Sequence, residues 1–344
     1  MLVKRIILIC LAIFVLTSSG CGAAKAAEEP VDIIDDQYVN LDLYAPFAQN
    51  TLAASLDEPS SLVLTDNLPR LNGATALYPV YSAFVRAVYP EEQVLGQWET
   101  GETEIFDGKE VYKQPEPLIV CHGTAGAYSQ LISGEADIIF VAGPSENQLK
   151  QAEEAGVELT FTPIGRESFV FFVNAANPVD GLTTQDIQRI YSGEAVNWSG
   201  FGGGDLPILA YQRPADSGSQ TALTEFMAGV PLMSPPAENV ALAMGEMMER
   251  VSAYQNYENA IGYSFLFFAT EMAAADKIKL LAIDGVAPSR ETVADGSYPF
   301  GGDFYAVTAG TDNPNAKIFI EWMLSEQGQS LVEKTGYTPV SKDS

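Results

Sequence analysis

Apolar positions along this chain follow two patterns that alternate. Residues 118–121, 138–141, 169–173 and 208–211 are short continuous apolar runs, the form taken by strands buried on both faces of a parallel sheet. Between them, apolar residues recur every three or four positions. Tyr78, Tyr81, Phe84, Val85 and Val88 share one helical face, with Pro79 in the first turn. Tyr128, Leu131 and Ile132 share a second face after Gly126, and Leu223, Phe226 and Met227 a third. Arg70, Leu71 and Asn72 read as the end of one more strand. The alternation predicts an α/β fold. The roughly 280 residues after position 60 exceed one core, so two lobes are expected.

Three of the predicted strand-to-helix junctions share a chemistry. They are Gly73-Ala74-Thr75-Ala76, Gly123-Thr124-Ala125-Gly126 and Arg213-Pro214-Ala215-Asp216-Ser217-Gly218-Ser219. A helix start presents unpaired backbone N–H groups and the positive end of the helix dipole, and small residues let the backbone come close to an anion. The carboxyl ends of strands are also where open α/β sheets bind ligands. Three such starts with one guanidinium could hold a tetrahedral oxyanion from several sides. Taken singly, Thr75 or Ser217 is an ordinary helix cap and Arg213 an ordinary ion pair; the recurrence of the pattern is what points to an anion. The glycine-rich residues 200–204 lack the lysine and Ser/Thr of a P-loop and are expected to form a turn between lobes.

The N-terminus sets the compartment. Lys4 and Arg5 precede an apolar run over residues 6–16, short for a bilayer span, and Thr17-Ser18-Ser19-Gly20-Cys21 follows. This reads as a lipoprotein signal peptide over 1–20. Cleavage before Cys21 leaves a thiol to carry diacylglycerol, whose two acyl chains anchor a domain stably. The mature chain is therefore expected outside the cytoplasm, lipid-anchored to the cell membrane. Residues 21–60, alanine-rich and then acidic, are expected to be a flexible tether.

Charge and cysteines narrow the function. With 45 acidic and 18 basic residues the net charge is −27, so nucleic acid and anionic membrane surfaces are poor partners. An anion must then be held by local neutral donors and one guanidinium against the overall field. Cys10 leaves with the signal and Cys21 is lipidated, so Cys121 stands alone as a small core residue and no intrachain disulfide is available. His122 is the sole histidine and is expected to be packed or solvent-facing. No Gly-x-Ser-x-Gly elbow and no His/Cys metal cluster occurs, so no catalytic residue, metal or cofactor is expected. The rival reading is a phosphoester hydrolase with Ser217 or Ser219 as nucleophile, which would need to recruit His122.

Several motifs follow one another between residues 68 and 339. Gly73-Ala74-Thr75 goes with Pro79-Val80-Tyr81, and Gly123-Thr124-Ala125-Gly126 with Gly134-Glu135-Ala136-Asp137. Asn177-Pro178 goes with Leu182-Thr183, and Ile190-Tyr191-Ser192-Gly193 precedes Asn197-Trp198. Arg213 with Ser217-Gly218-Ser219, then Ala260-Ile261-Gly262-Tyr263 and Gln327-Gly328, complete the order. In this the chain resembles the PstS-like phosphate-binding proteins of bacterial ABC importers.

The resemblance implies a type II periplasmic-binding-protein fold with the ligand cleft between two lobes. Lobe I would comprise residues 61–166 plus 303–344 and lobe II residues 167–302, joined by crossing strands near 169–174 and 304–308. It also implies the ligand shell: the Thr75 hydroxyl, the Thr75 and Ala76 amides and the Thr124 hydroxyl from one lobe, and Arg213, Ser217, Gly218 and Ser219 from the other. The implied function is capture of inorganic phosphate by a monomer and delivery to an ABC permease. Another oxyanion, a small anionic solute or a non-transport phosphate sensor are the alternatives. Two positions depart from the pattern. Ala142 stands where relatives carry an aspartate that accepts the proton of hydrogen phosphate, and Ala215 where they carry a second, with Asp216 next door as a substitute. Weaker discrimination against sulfate is the expected result.

Overall fold

The structure, a computed structural model, describes residues 39–95, 102–106, 109–113, 117–253, 258–273 and 277–340. The expected signal peptide, Cys21 and the tether up to residue 38 lie outside the described residues. The strands are β1 (Leu71–Gly73), β2 (Glu102–Phe106), β3 (Lys109–Lys113), β4 (Ile138–Val141), β5 (Thr160–Asn174), β6 (Gly181–Leu182), β7 (Leu209–Ala210), β8 (Ala260–Phe265), β9 (Ile278–Leu280), β10 (Ala282–Ile283) and β11 (Gly301–Thr308). The α-helices used below are α1 (Tyr78–Val88), α2 (Glu91–Leu95), α3 (Gly123–Ser133), α4 (Glu146–Ala155), α5 (Thr184–Tyr191) and α6 (Gly218–Phe226).

One seven-stranded sheet runs through both lobes in the order β1-β4-β11-β5-β8-β7, with β9 added on β5. Its centre is β5, which is long enough to belong to two bodies. From Thr160 to Ser168 it pairs antiparallel with β11, and from Phe169 to Val173 antiparallel with β8. The ladder thus changes partner between Ser168 and Phe169. Two apolar cores lie on either side of that change. Phe171, Phe172, Trp198, Tyr263 and Phe268 are fully buried in one, and Tyr81, Phe84, Phe140, Phe304 and Phe319 in the other. Burial of each such side chain stabilises by about 1.5–3 kcal/mol. This is the expected two-lobed α/β fold.

Several expectations are corrected in detail. The sheet is mixed: β1 and β4 pair in parallel, as do β7 and β8, but the two strands passing between lobes run antiparallel to their neighbours. The apolar run 169–173 lies wholly beside β8, so the passage between lobes comes earlier, at Glu167 and Ser168. Continuous apolar runs mark burial on both faces and do not report strand direction. Residues 118–121 make a single bridge, Leu71 to Ile119, in which the Leu71 N–H donates to Leu118 O at 2.8 Å and the Val120 N–H to Leu71 O at 2.9 Å. The helix expected after Gly126 begins at Gly123, so that glycine loop is its first turn. Cys121 is half-buried, and its Sγ–H donates to Gly73 O at 3.5 Å. The glycines after Trp198 close a short 3₁₀ turn against the lobe II core, where Trp198 Nε1 donates to Asn259 O at 2.8 Å, and do not connect lobes.

The N-terminal stretch enters the described residues at Val39 and is packed from there. Val39 belongs to the lobe II core and Tyr44 to the lobe I core, while Leu41 touches both. Further on, Ala53 O accepts from Arg86 Nη1 at 2.7 Å, and Asp57 pairs with Lys334 at 2.7 Å.

Candidate functional site

Each of the three junctions is built by local chemistry that the chain spells out. At the first, Gly73 ends β1 where a Cβ would meet Phe140 O and the Tyr81 ring, both at 2.8 Å, so only glycine lets β1 lie this close to β4 and α1. A 3₁₀ turn, Thr75–Leu77, then leads into α1, whose Pro79 occupies a position that needs no N–H partner. The Tyr337 hydroxyl donates to Ala76 O and fixes the turn from the C-terminal side of the chain.

Asn72, fully buried in β1, ties the first junction to the second. Its Oδ1 accepts from the Gly73 and His122 N–H groups at 2.7 and 2.9 Å. Its Nδ2 reaches Gln130 Oε1 at 2.7 Å and His122 Nδ1 at 3.1 Å. The one histidine is thereby held as the residue before α3, with Thr124 in the helix's first turn.

The third junction is fixed by Tyr263 and Gln220. The Arg213 N–H donates to Gln220 Oε1 at 2.9 Å and to the Tyr263 hydroxyl at 2.8 Å, and that hydroxyl also donates to Gln220 Oε1. Burial raises the Tyr263 pKa, an effect partly offset by its hydrogen bond with the Arg213 backbone and by the guanidinium charge. Arg213 Nη2 donates to Leu242 O at 3.0 Å. Ser217 caps α6, its Oγ accepting from the Gln220 N–H at 3.3 Å.

All seven expected site residues, Thr75, Ala76, Thr124, Arg213, Ser217, Gly218 and Ser219, line one cavity of about 120 Å³. That volume is room for a few water-sized groups. Its polar lining comes from the hydroxyl residues Thr75, Thr124, Ser217 and Ser219, from His122 and from Arg213, and Leu242, Met244 and Phe265 close it with apolar surface. No Asp or Glu is among the described lining residues. Ser219 is 1% exposed, and its Oγ has no hydrogen-bond partner among the described residues. A buried hydroxyl in that state is costly unless something fills the cavity beside it. The lobes meet here, since a Cβ on Gly218 would stand 2.7 Å from Thr124 Oγ1.

The two departures resolve differently. Ala142 does not line this cavity but a larger adjoining one. Asp216 is turned away and spent on the opposite lobe. Its Oδ1 accepts from Ser145 Oγ at 2.5 Å and its Oδ2 from Asn147 Nδ2 at 2.7 Å, while its carbonyl accepts from Gln148 Nε2 at 3.0 Å. Ser145 and Gln148 form the capping box of α4, so the contact docks lobe II on a helix start of lobe I. The backbone of Asp216 sits at φ 66°, in the left-handed region. Asp216 therefore does not stand in for the carboxylate missing at Ala215.

Residues 107–327 match the PBP superfamily domain. The phosphate-binding protein PstS of Bacillus subtilis is 28% identical over 226 residues, covering 60% of this chain and 72% of that protein. A Clostridium perfringens substrate-binding protein solved with bound phosphate superposes with a TM-score of 0.58 at 24% identity, over 79% of this chain and 98% of that one. An ABC-type phosphate transport receptor from Vibrio cholerae gives 0.55 at 20% identity, over 78% and 99%. These relatives are binding proteins, and the solved structures share the two-lobed fold.

Proposed function

The chain belongs to the PBP superfamily, and on that premise we propose that it captures inorganic phosphate between its lobes and hands it to an ABC permease. The carrying observation is that Thr75, Ala76, Thr124, Arg213, Ser217, Gly218 and Ser219, drawn from three strand-to-helix junctions, line one cavity with no Asp or Glu among its described lining residues. The names of the Bacillus and Vibrio proteins and the phosphate held by the Clostridium protein support the choice of anion. In this reading the Thr75 hydroxyl, the Thr75 and Ala76 amides and the Thr124 hydroxyl receive the anion on lobe I (61–166 plus 303–344). Arg213, Ser217, Gly218 and Ser219 complete the shell from lobe II (167–302) as the cleft closes. The protein works outside the cytoplasm as a monomer, lipidated at Cys21. Among the described residues, no helix is long and apolar enough to cross a membrane.

The test is calorimetric titration of ligand-stripped protein with phosphate and then sulfate. Phosphate binds, and Arg213→Gln weakens binding about 10- to 150-fold, the loss of a charge-assisted bond worth about 1.5–3 kcal/mol. Because no carboxylate lines the cavity to accept the proton of hydrogen phosphate, sulfate competes measurably. Unchanged affinity in the Arg213 variant refutes its role, and absence of phosphate binding refutes the proposal.

A further inference from the structure

Beside the anion cavity lies a larger one of about 400 Å³. The two share Ala74, Ala76, Thr124, Gly218 and Phe265, so they meet at the start of α6. From there one face of α6 leads along the larger cavity. Gly218, Ala222 and Glu225 follow at i, i+4 and i+7, and all three line it. The stripe thus offers helix-start donors, then a small residue, then a carboxylate two turns on, a rise of about 10 Å. Across the cleft, Ala142 and Gly143 put almost no side chain in the way. A Cβ on Gly143 would stand 3.3 Å from Glu225 Oε1.

The charges in this cavity are of one sign. Glu167, Glu225 and Asp303 line it, and no Lys, Arg or His is among the described lining residues. Two of the carboxylates are engaged: Asp303 faces Arg166 at 3.8 Å, and Glu167 accepts from the Ser168 and Phe267 N–H groups at 2.7 and 3.2 Å. The Glu225 carboxylate has no hydrogen-bond or ion-pair partner among the described residues, and it lies in the last turn of α6, where the helix dipole disfavours an anion. Burial raises its pKa further. The residue is exposed at the edge of the cavity, so a cation entering the cavity can reach its carboxylate. Phe226 and Phe300, with ring centroids 4.4 Å apart, also line the cavity, and aromatic rings are suitable neighbours for an ammonium.

We propose that the site also takes phosphomonoesters or phosphonates whose short alkyl arm ends in an ammonium group. The anion occupies the three helix starts and the ammonium lies between Glu225 and the two phenylalanines. A glutamate on a helix reaches back toward the N-terminus, so the charges of the ligand stand ~5–8 Å apart, an arm of a few carbons. This rests on the anion-binding reading above and goes beyond it in naming a second recognition element.

The experiment titrates ligand-stripped protein with inorganic phosphate, ethyl phosphate and phosphoethanolamine, in the wild type and in Glu225→Gln. Phosphoethanolamine is expected to bind at least tenfold more tightly than ethyl phosphate in the wild type, and Glu225→Gln to remove that advantage. Equal affinity for the two esters in the wild type overturns the inference, as does a Glu225→Gln variant that weakens all three ligands equally. If phosphate binds and neither ester does, this inference alone fails; if none of the three binds, the anion reading fails with it.

Discussion

Asp216 offers the sharpest test of how the cleft closes. Its carboxylate receives two hydrogen bonds from lobe I, from Ser145 Oγ and Asn147 Nδ2. Asp216→Gly removes both while suiting the backbone, because glycine adopts φ 66° without strain. The main-chain bond from Gln148 survives. Bonds to a charged group contribute about 1.5–3 kcal/mol each when buried, but Asn147 is exposed and Ser145 only half-buried, so the pair together is worth about 1–2 kcal/mol. If the bonds form only when the lobes are together, that amount is lost from ligand binding, and phosphate affinity falls about 5- to 30-fold. Calorimetric titration reads the affinity, and X-ray scattering at subsaturating phosphate reads the mean separation of the lobes, which should exceed that of the wild type at the same concentration. The unfolding midpoint of the ligand-free protein should stay near that of the wild type. Affinity within twofold of the wild type would refute the reasoning and make Asp216 a bystander.

Two further outcomes follow from the same geometry. Gly218→Ala places a methyl 2.7 Å from Thr124 Oγ1 across the cleft, an overpacking of about 1–3 kcal/mol, so phosphate affinity should drop about 5- to 150-fold while the midpoint of thermal unfolding holds; wild-type affinity would show that the helix starts never need to come this close. Glu167 has its pKa pushed up to about 7 from 4.5, chiefly by burial and despite two backbone N–H donors. The folded state then holds a proton that the unfolded state releases, so the stability contributed by Glu167 is fully present below about pH 4.5 and is lost as pH rises to about 7, by up to about 3 kcal/mol. Glu167→Gln should flatten the fall in melting temperature between pH 5 and 8, and parallel melting curves for the two proteins would contradict that account.

Much of this was written in local pattern. The helical faces of Tyr78 to Val88 and Leu223 to Phe226 and the small-residue junctions can be read within ten residues of chain, because caps and amphipathic faces are local physics. The seven residues proposed for the site lie in those junctions and line one cavity. What was not legible depends on distant partners. Asn72 reads as a polar residue in a short strand, yet it pins two junctions 50 residues apart. Tyr263 holds Arg213 from β8, and nothing near Arg213 announces it. Asp216 stands beside the site in sequence, but its φ turns the carboxylate toward the opposite lobe, and no periodicity reports a single backbone angle. The antiparallel crossing of β5 and β11 joins residues about 140 positions apart, beyond any local pattern.

The segment from Val39 to Tyr44 gives the molecule a mechanical property. One end is embedded in the lobe II core and the other in lobe I, with Leu41 touching both. The segment therefore bridges the two cores, and any relative movement of the cores has to be taken up within it or by releasing one of its ends.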